Sequence, residues 1–277
     1  MLLNEMRNSM KTNDPAEIKS VVREKYGAIA VSSSSCCGPT SCCGDGTINV
    51  SPNEYTQLDG YVKDADLGLG CGLPTQFANI KEGETVVDLG SGAGNDVFVA
   101  RRMVGESGHV VGVDMTPAMI EKAIQNNVGL GFKNVEFRLG EIEQLPVTEN
   151  FADLVISNCV LNLVPDKQKA FLEIARVLKP GGRFSISDLV LTGPLPESVR
   201  TATALYIGCI AGATTTEAYM TFIAKAGLTN VMIASSKKVD LPEEVLRDYA
   251  TETEIKEFAG SGTEVLSITV TGFKPGK

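Results

Sequence analysis

Histidine is almost absent from this chain: His109 is the only one in 277 residues. A catalytic triad built on imidazole, a histidine general base and a histidine-rich metal site are therefore excluded as the centre of its chemistry. A basic surplus is lacking too. Lys+Arg number 25 against 34 for Asp+Glu, a formal net charge of −9. A surface with that balance repels phosphate backbones and anionic lipid heads, which argues against nucleic acid or a membrane as partner. Long hydrophobic runs are also missing. The most apolar window, residues 154–164, is interrupted by Ser157, Asn158 and Asn162, and it falls far short of the roughly 20 residues that cross a bilayer. The stretch Met1-Leu2-Leu3-Asn4-Glu5-Met6-Arg7-Asn8 has no apolar segment of secretory length, so a cytoplasmic protein with reduced thiols is expected.

Cysteine, by contrast, is plentiful: Cys36, Cys37, Cys42, Cys43, Cys71, Cys159 and Cys209. The number is odd, and four of them crowd into eight residues, which is not the signature of a static disulfide framework. The remainder of the composition is that of an ordinary globular chain, 43% hydrophobic and 21% charged, with apolar material for one sizeable core.

Asp14 and Pro15 open a helix predicted over residues 15–26, with Ile18, Val21, Val22 and Tyr26 on one face. Residues 32–44 are rich in Ser, Gly and Pro and read as a loop carrying the two cysteine pairs. Residues 53–66 read as short helical or irregular pieces. A regular alternation begins at Thr85. Strands are predicted at residues 86–89, 110–114, 135–138, 152–157 and 183–187. Helices are predicted at 97–103, from a Thr116 side-chain cap through 126, and at 167–178, the last stopped by Lys179-Pro180-Gly181-Gly182. Strands alternating with helices imply an α/β fold, a doubly wound and mostly parallel sheet. A helix at 218–226 and two final strands at 230–234 and 265–272, taken as antiparallel, follow. The expected organisation is an N-terminal helix with a Cys-rich loop (1–70), a core (71–190), and covering helices plus the strands that complete the sheet (191–277).

Asp88-Leu89-Gly90-Ser91-Gly92-Ala93-Gly94 lies between the first strand and its helix. The dinucleotide fingerprint would need glycine at position 95, which is Asn95. The spacing acidic-x-G-x-G-x-G instead resembles the first motif of the class I S-adenosylmethionine-dependent methyltransferases, whose seven-stranded sheet is Rossmann-like. That resemblance implies S-adenosylmethionine as cofactor, with Asp88, Gly90, Gly92 and Gly94 forming the loop around its methionine tail. Asp114 ends the second strand, where a carboxylate accepts bonds from both ribose hydroxyls. By the same resemblance Glu141 and Ile142, after the third strand, read the adenine, Met115 covers one face of the base, and Asn158 belongs to the cofactor set.

Three cysteines come from segments that such a fold can gather above the cofactor. Cys159 follows the fourth strand, Cys71 sits between Gly70 and Gly72 on what reads as an accessible loop, and Cys209 lies in an insertion after the fifth strand. Cys159 also reads as a small buried hydrophobe. Soft thiolates select thiophilic acceptors, and trivalent arsenic keeps a lone pair that attacks a sulfonium methyl without any general base. The chain resembles the arsenite methyltransferases over residues 15–235, in Gly68-Leu69-Gly70-Cys71-Gly72, Asp88–Asp96, Val113-Asp114-Met115-Thr116, Ser157-Asn158-Cys159-Val160-Leu161-Asn162-Leu163 and Cys209. The resemblance implies that Cys71, Cys159 and Cys209 carry arsenic and that Cys43 or Cys42 exchanges redox equivalents with a thiol reductant, thioredoxin or glutathione. For Cys36-Cys37 and Cys42-Cys43, arsenite capture, a reversible disulfide and zinc remain open, although their spacing matches zinc ligation poorly. Two other functions stay in view: a methyltransferase of a small organic metabolite, and a non-catalytic thiol-based metalloid binder.

Overall fold

The computed structural model describes residues 14–31, 55–200, 210, 212–241, 243–247 and 250–276. Cys36, Cys37, Cys42, Cys43 and Cys209 lie outside the described residues.

Helix α1 spans Pro15–Val31, one turn and more beyond its predicted end. Asp14 opens it, accepting the Ala16 N–H at 3.0 Å on its side chain. Short 3-10 turns at Tyr55–Gln57 and Lys63–Ala65 and the one-turn helix α2, Pro74–Phe77, lead into the sheet. Then come β1 (Thr85–Leu89), α3 (Asn95–Val104), β2 (His109–Asp114), α4 (Pro117–Leu130), β3 (Val135–Leu139), β4 (Ala152–Asn158), α5 (Lys167–Val177) and β5 (Leu178–Leu191). The C-terminal part adds α6 (Glu197–Arg200), α7 (Thr216–Lys225), β6 (Thr229–Val239), α8 (Glu243–Arg247), α9 (Glu252–Gly260) and β7 (Val265–Phe273).

The seven strands form one sheet in the order β3-β2-β1-β4-β5-β7-β6. β1 to β5 pair in parallel, and β7 runs antiparallel to both β5 and β6. The doubly wound seven-stranded sheet is thus the one expected. The central strands are apolar without alternation because helices cover both faces. Val86, Val87, Leu154, Val155 and Ile156 are fully buried, with Val97, Phe98 and Ala100 of α3 on one side and Phe171 and Ile174 of α5 on the other. The chain reverses its winding between β1 and β4, and a crevice opens there at the carboxyl ends of the strands. The loops after β1 and β4 therefore face each other across that crevice.

Two local readings change. Lys179-Pro180-Gly181-Gly182 does not precede β5 but lies inside it, at a register shift against β4. Gly181 takes the required positive φ of 80°, and its N–H donates to Lys274 O, so β7 draws the turn into the sheet. Thr116 stands at the start of α4 without capping it through its side chain, and Asp114 accepts the Thr116 N–H instead. Among the described residues no helix is long and apolar enough to cross a membrane.

Candidate functional site

The crevice is a cleft of about 1190 Å³, counted to its open mouth. Its floor is the turn after β1. Gly90 N–H and Ser91 N–H donate to Val113 O at 2.7 and 3.0 Å, pinning the turn to the end of β2. Gly90 and Gly92 line the cleft and Gly94 does not. A Cβ on Gly94 would come within 2.8 Å of Phe98 and 3.0 Å of Phe137, so this glycine serves the packing of α3 against β3. A Cβ on Gly92 would meet nothing, since it faces the open space.

Asp114 closes β2 with both oxygens engaged: Oδ2 accepts Gly92 N–H at 3.0 Å and Oδ1 accepts Thr116 N–H at 2.8 Å. Burial raises its carboxyl, and those backbone donors oppose the rise. Met115, Ile142 and Asn158 line the cleft as expected, together with Asp88 and Asp114. Glu141 does not. Its side chain points to α1, where Lys19 Nζ approaches at 2.7 Å and Arg23 at 3.5 Å. The acidic wall on that side is Glu143, which is buried, lines the cleft and meets the same Lys19 at 2.9 Å. Helix α1 thus lies over the cleft, contributing Lys19, Val22 and Tyr26 to its lining.

Behind the glycine turn sits a buried polar network the sequence did not announce. Asn158 Oδ1 accepts the N–H of Cys71 and of Gly72 at 3.1 and 3.2 Å. Its Nδ2 donates to Gly72 O, Asp96 Oδ2 and Tyr55 Oη. Tyr55 in turn donates to the Asp96 carboxylate at 2.9 Å. Burial lifts the Asp96 carboxyl to about 6 against the pull of Asn158 and Tyr55. Asp88 is raised well above the usual carboxylate range, first by burial and then by Asp96 and Asp114. Among the described residues the cleft is therefore lined by Asp66, Asp88, Asp96, Asp114 and Glu143 against one cation, Lys19. Such a wall favours a cationic ligand. The buried Ser91 Oγ and Asn95 Oδ1, which lack partners among the described residues, leave polar atoms for that ligand to satisfy.

The two described cysteines converge at the inner end of the cleft. Cys159 lines it, in the left-handed region at φ 59°, held by its N–H on Ser187 O at 2.7 Å. Such backbone strain is retained where the fold over-determines it. Cys71, like Cys159, is joined by a disulfide to no described residue. Its loop is not accessible: Cys71 is 2% exposed. The flanking glycines press the loop inward rather than exposing it. A Cβ on Gly72 would lie 2.6 Å from the Ser187 side chain, and one on Gly70 would lie 2.9 Å from Asn158 Nδ2. The Cys71 and Cys159 sulfurs and a carboxylate oxygen of Asp188 all lie within 4.8 Å of one another. Val22 of α1, Leu163, Leu189 and Ile210 pack around the thiols.

Residues 80–227 match the methyltransferase domain family. With the seven-stranded sheet and the cleft above it, the chain is a class I S-adenosylmethionine-dependent methyltransferase. The arsenite methyltransferase of Halobacterium salinarum is 43% identical over 273 residues, covering 94% of this chain and 69% of that one. The human arsenite methyltransferase is 42% identical over 155 residues, 52% of this chain and 40% of its own length. The crystal structure of an arsenic(III) S-adenosylmethionine methyltransferase from Chlamydomonas reinhardtii superposes with a TM-score of 0.65 at 37% identity, covering 81% of this chain and 71% of that one. The chain belongs to the arsenite methyltransferases.

Proposed function

We propose that this protein transfers the methyl group of S-adenosylmethionine to trivalent arsenic, arsenite and then methylarsenite, held by the thiolates of Cys71, Cys159 and Cys209. The observation that carries this reading is the pair of cysteine sulfurs that stand together, from positions 71 and 159, at an acidic cleft. Cys209 lies outside the described residues. Its chain neighbour Ile210 is fully buried in the same apolar cluster as both thiols.

The cleft suits the cofactor. Bound there, S-adenosylmethionine supplies a methyl group on a positively charged sulfur. Gly90 and Gly92 shape the floor beneath it, and Asp114 offers its carboxylate to the ribose hydroxyls. Ile142 and Met115 hold the adenine, with Glu143 beside them. Asp88 and Asp96 face the ammonium group of the methionine tail, and Asn158 ties that end of the cleft to the Cys71 loop. The thiolates fix arsenic as a pyramid whose lone pair faces the methyl carbon. No proton leaves the nucleophile, so no general base is required, which fits a chain with one histidine on the far side of the fold's β2. Catalysis is then chiefly alignment of two reactants.

Transfer leaves arsenic formally two electrons more oxidised, and two thiols return those electrons as they form a disulfide. Cys43 or Cys42 is the exchanging thiol, and thioredoxin or glutathione restores it. A reducing compartment, the cytoplasm, suits this cycle. The test is product analysis after incubation with arsenite, the cofactor and thiol reductant. Methylated arsenic should appear with wild type and vanish in Cys71→Ser and Cys159→Ser while cofactor affinity holds. Arsenite binding without product would make the protein a metalloid binder. Full activity in either variant would overturn arsenic ligation by that thiolate, and neither arsenite binding nor methylated arsenic in wild type would leave a methyltransferase of another acceptor.

A further inference from the structure

Among the described residues Asp188 is the carboxyl beside the thiol pair, and the methyl transfer proposed for the site leaves it idle. It closes the Ser185-Ile186-Ser187-Asp188 run of β5, where a carboxyl interrupts an apolar strand, and it is fully buried. Its Oδ2 accepts the Tyr219 hydroxyl at 2.8 Å, and Tyr219 is fully buried as well. Its Oδ1 has no well-formed hydrogen bond among the described residues. Burial raises this carboxyl to about 7, against the pull of the Tyr219 hydroxyl, the ammonium of buried Lys167 and the backbone N–H groups of Asn162 and Leu161. A desolvated carboxyl gains from any positive charge brought beside it. What it faces is the pair of sulfurs, each within 4.8 Å of it.

Its position relative to the cleft gives it a use. Cys159 lines the cleft, whereas Cys71 and Asp188 lie deeper. An arsenic atom seated on the two sulfurs therefore has the methyl donor on the cleft side and Asp188 on the inner side. We propose that Asp188 is a catalytic residue of the methyl transfer, its carboxylate stabilising the positive charge that arsenic acquires with the methyl group. This rests on the arsenic reading above.

The step balances without a further reactant. The arsenic lone pair forms the As–C bond, the C–S bond breaks with its pair passing to sulfur, and the positive charge moves from sulfur to arsenic. The charge thus travels towards the carboxylate as the reaction proceeds. Asp188 binds the end of that path better than its start, which is the condition for lowering a barrier. A fixed charge in a water-excluded site is the strongest form of such help.

The experiment is single-turnover methyl transfer by the full chain, preloaded with arsenite and mixed with the cofactor. Asp188→Asn keeps shape and can still accept from Tyr219. Its rate should fall about 10- to 100-fold, the scale of losing one preorganised electrostatic partner, with arsenite stoichiometry and cofactor dissociation constant within twofold of wild type. Asp188→Glu and Asp188→Gln give the same comparison at equal size, and the Glu variant should be the faster by at least tenfold. A wild-type rate in Asp188→Asn, or equal rates in the Glu and Gln pair, overturns the proposal while leaving arsenite methylation intact. Absence of methylated arsenic from wild type overturns the reading on which it rests.

Discussion

The acidic wall of the cleft makes cofactor affinity depend on pH in a direction that follows from Asp96. Burial raises this carboxyl to about 6 in the free protein. A cation placed beside it favours the carboxylate and draws it back towards the ordinary value near 3.8. Binding therefore expels a proton below pH 6 and none above it. With those two values the affinity at pH 5 is about tenfold lower than at pH 8, or about 1.4 kcal/mol. Calorimetric titration with S-adenosylmethionine between pH 5 and 8 measures this, and buffers of different ionisation enthalpy count the proton released. Asp96→Asn removes one titrating group and leaves the raised Asp88 beside it, so its affinity should vary less steeply than that of wild type over the same range. A flat profile for wild type, or an unchanged slope in Asp96→Asn, would refute the placement of a cationic tail against this carboxyl. The same shift has a stability consequence. A raised carboxyl contributes fully below the unfolded value and loses that contribution as pH rises through 6, about 3 kcal/mol in all. Without cofactor, Asp96→Asn should accordingly melt higher than wild type at pH 8 and not at pH 4.

Other expectations concern how the thiols and the lid over the cleft are held. Gly72→Ala places a Cβ 2.6 Å from Ser187 and should lift the Cys71 loop from β5, costing about 1 to 3 kcal/mol of stability in denaturant titration and most of the activity. Asn158→Ala leaves the Cys71 and Gly72 N–H groups without their acceptor; urea unfolding should show a loss of about 1 to 3 kcal/mol, and arsenite binding should weaken with it. Asp114→Ala removes the carboxylate proposed to accept from the ribose hydroxyls, and calorimetry should show cofactor affinity falling by about 3 to 6 kcal/mol at most. Lys19→Met unties α1 from Glu141 and Glu143, so stopped-flow displacement should show several-fold faster cofactor release, and raised salt should have the smaller effect on the variant.

Much of the sheet was legible because each central strand carries a short apolar run bounded by turn residues, and helix periodicity lies between them. The place of the glycine turn, Asp114 and Cys159 at the cleft was legible because the carboxyl ends of parallel strands open onto it. The less legible parts depend on distance across the fold. Glu141 and Glu143 are two residues apart in an irregular segment, and only the packing of α1 decides that Glu143 faces the cleft. Cys71 sits between glycines, which by themselves signal freedom. Here they serve close approach, because Ser187 and Asn158 leave no room for a side chain. Tyr55 and Asp96 meet across 41 residues, and no spacing in the sequence marks that pairing. Asp188 had one visible signal, an acidic residue in an apolar strand. Its neighbours Tyr219 and the two thiols come from segments far from it in the chain.

X-ray absorption at the arsenic edge, on protein loaded with one equivalent of arsenite under reducing conditions, addresses the coordination on which methyl transfer depends. Three sulfur neighbours and no oxygen are expected for wild type, with one sulfur lost in each of Cys71→Ser, Cys159→Ser and Cys209→Ser. An oxygen-dominated shell, or a sulfur shell indifferent to the Cys71 and Cys159 substitutions, would contradict arsenic ligation at the cleft.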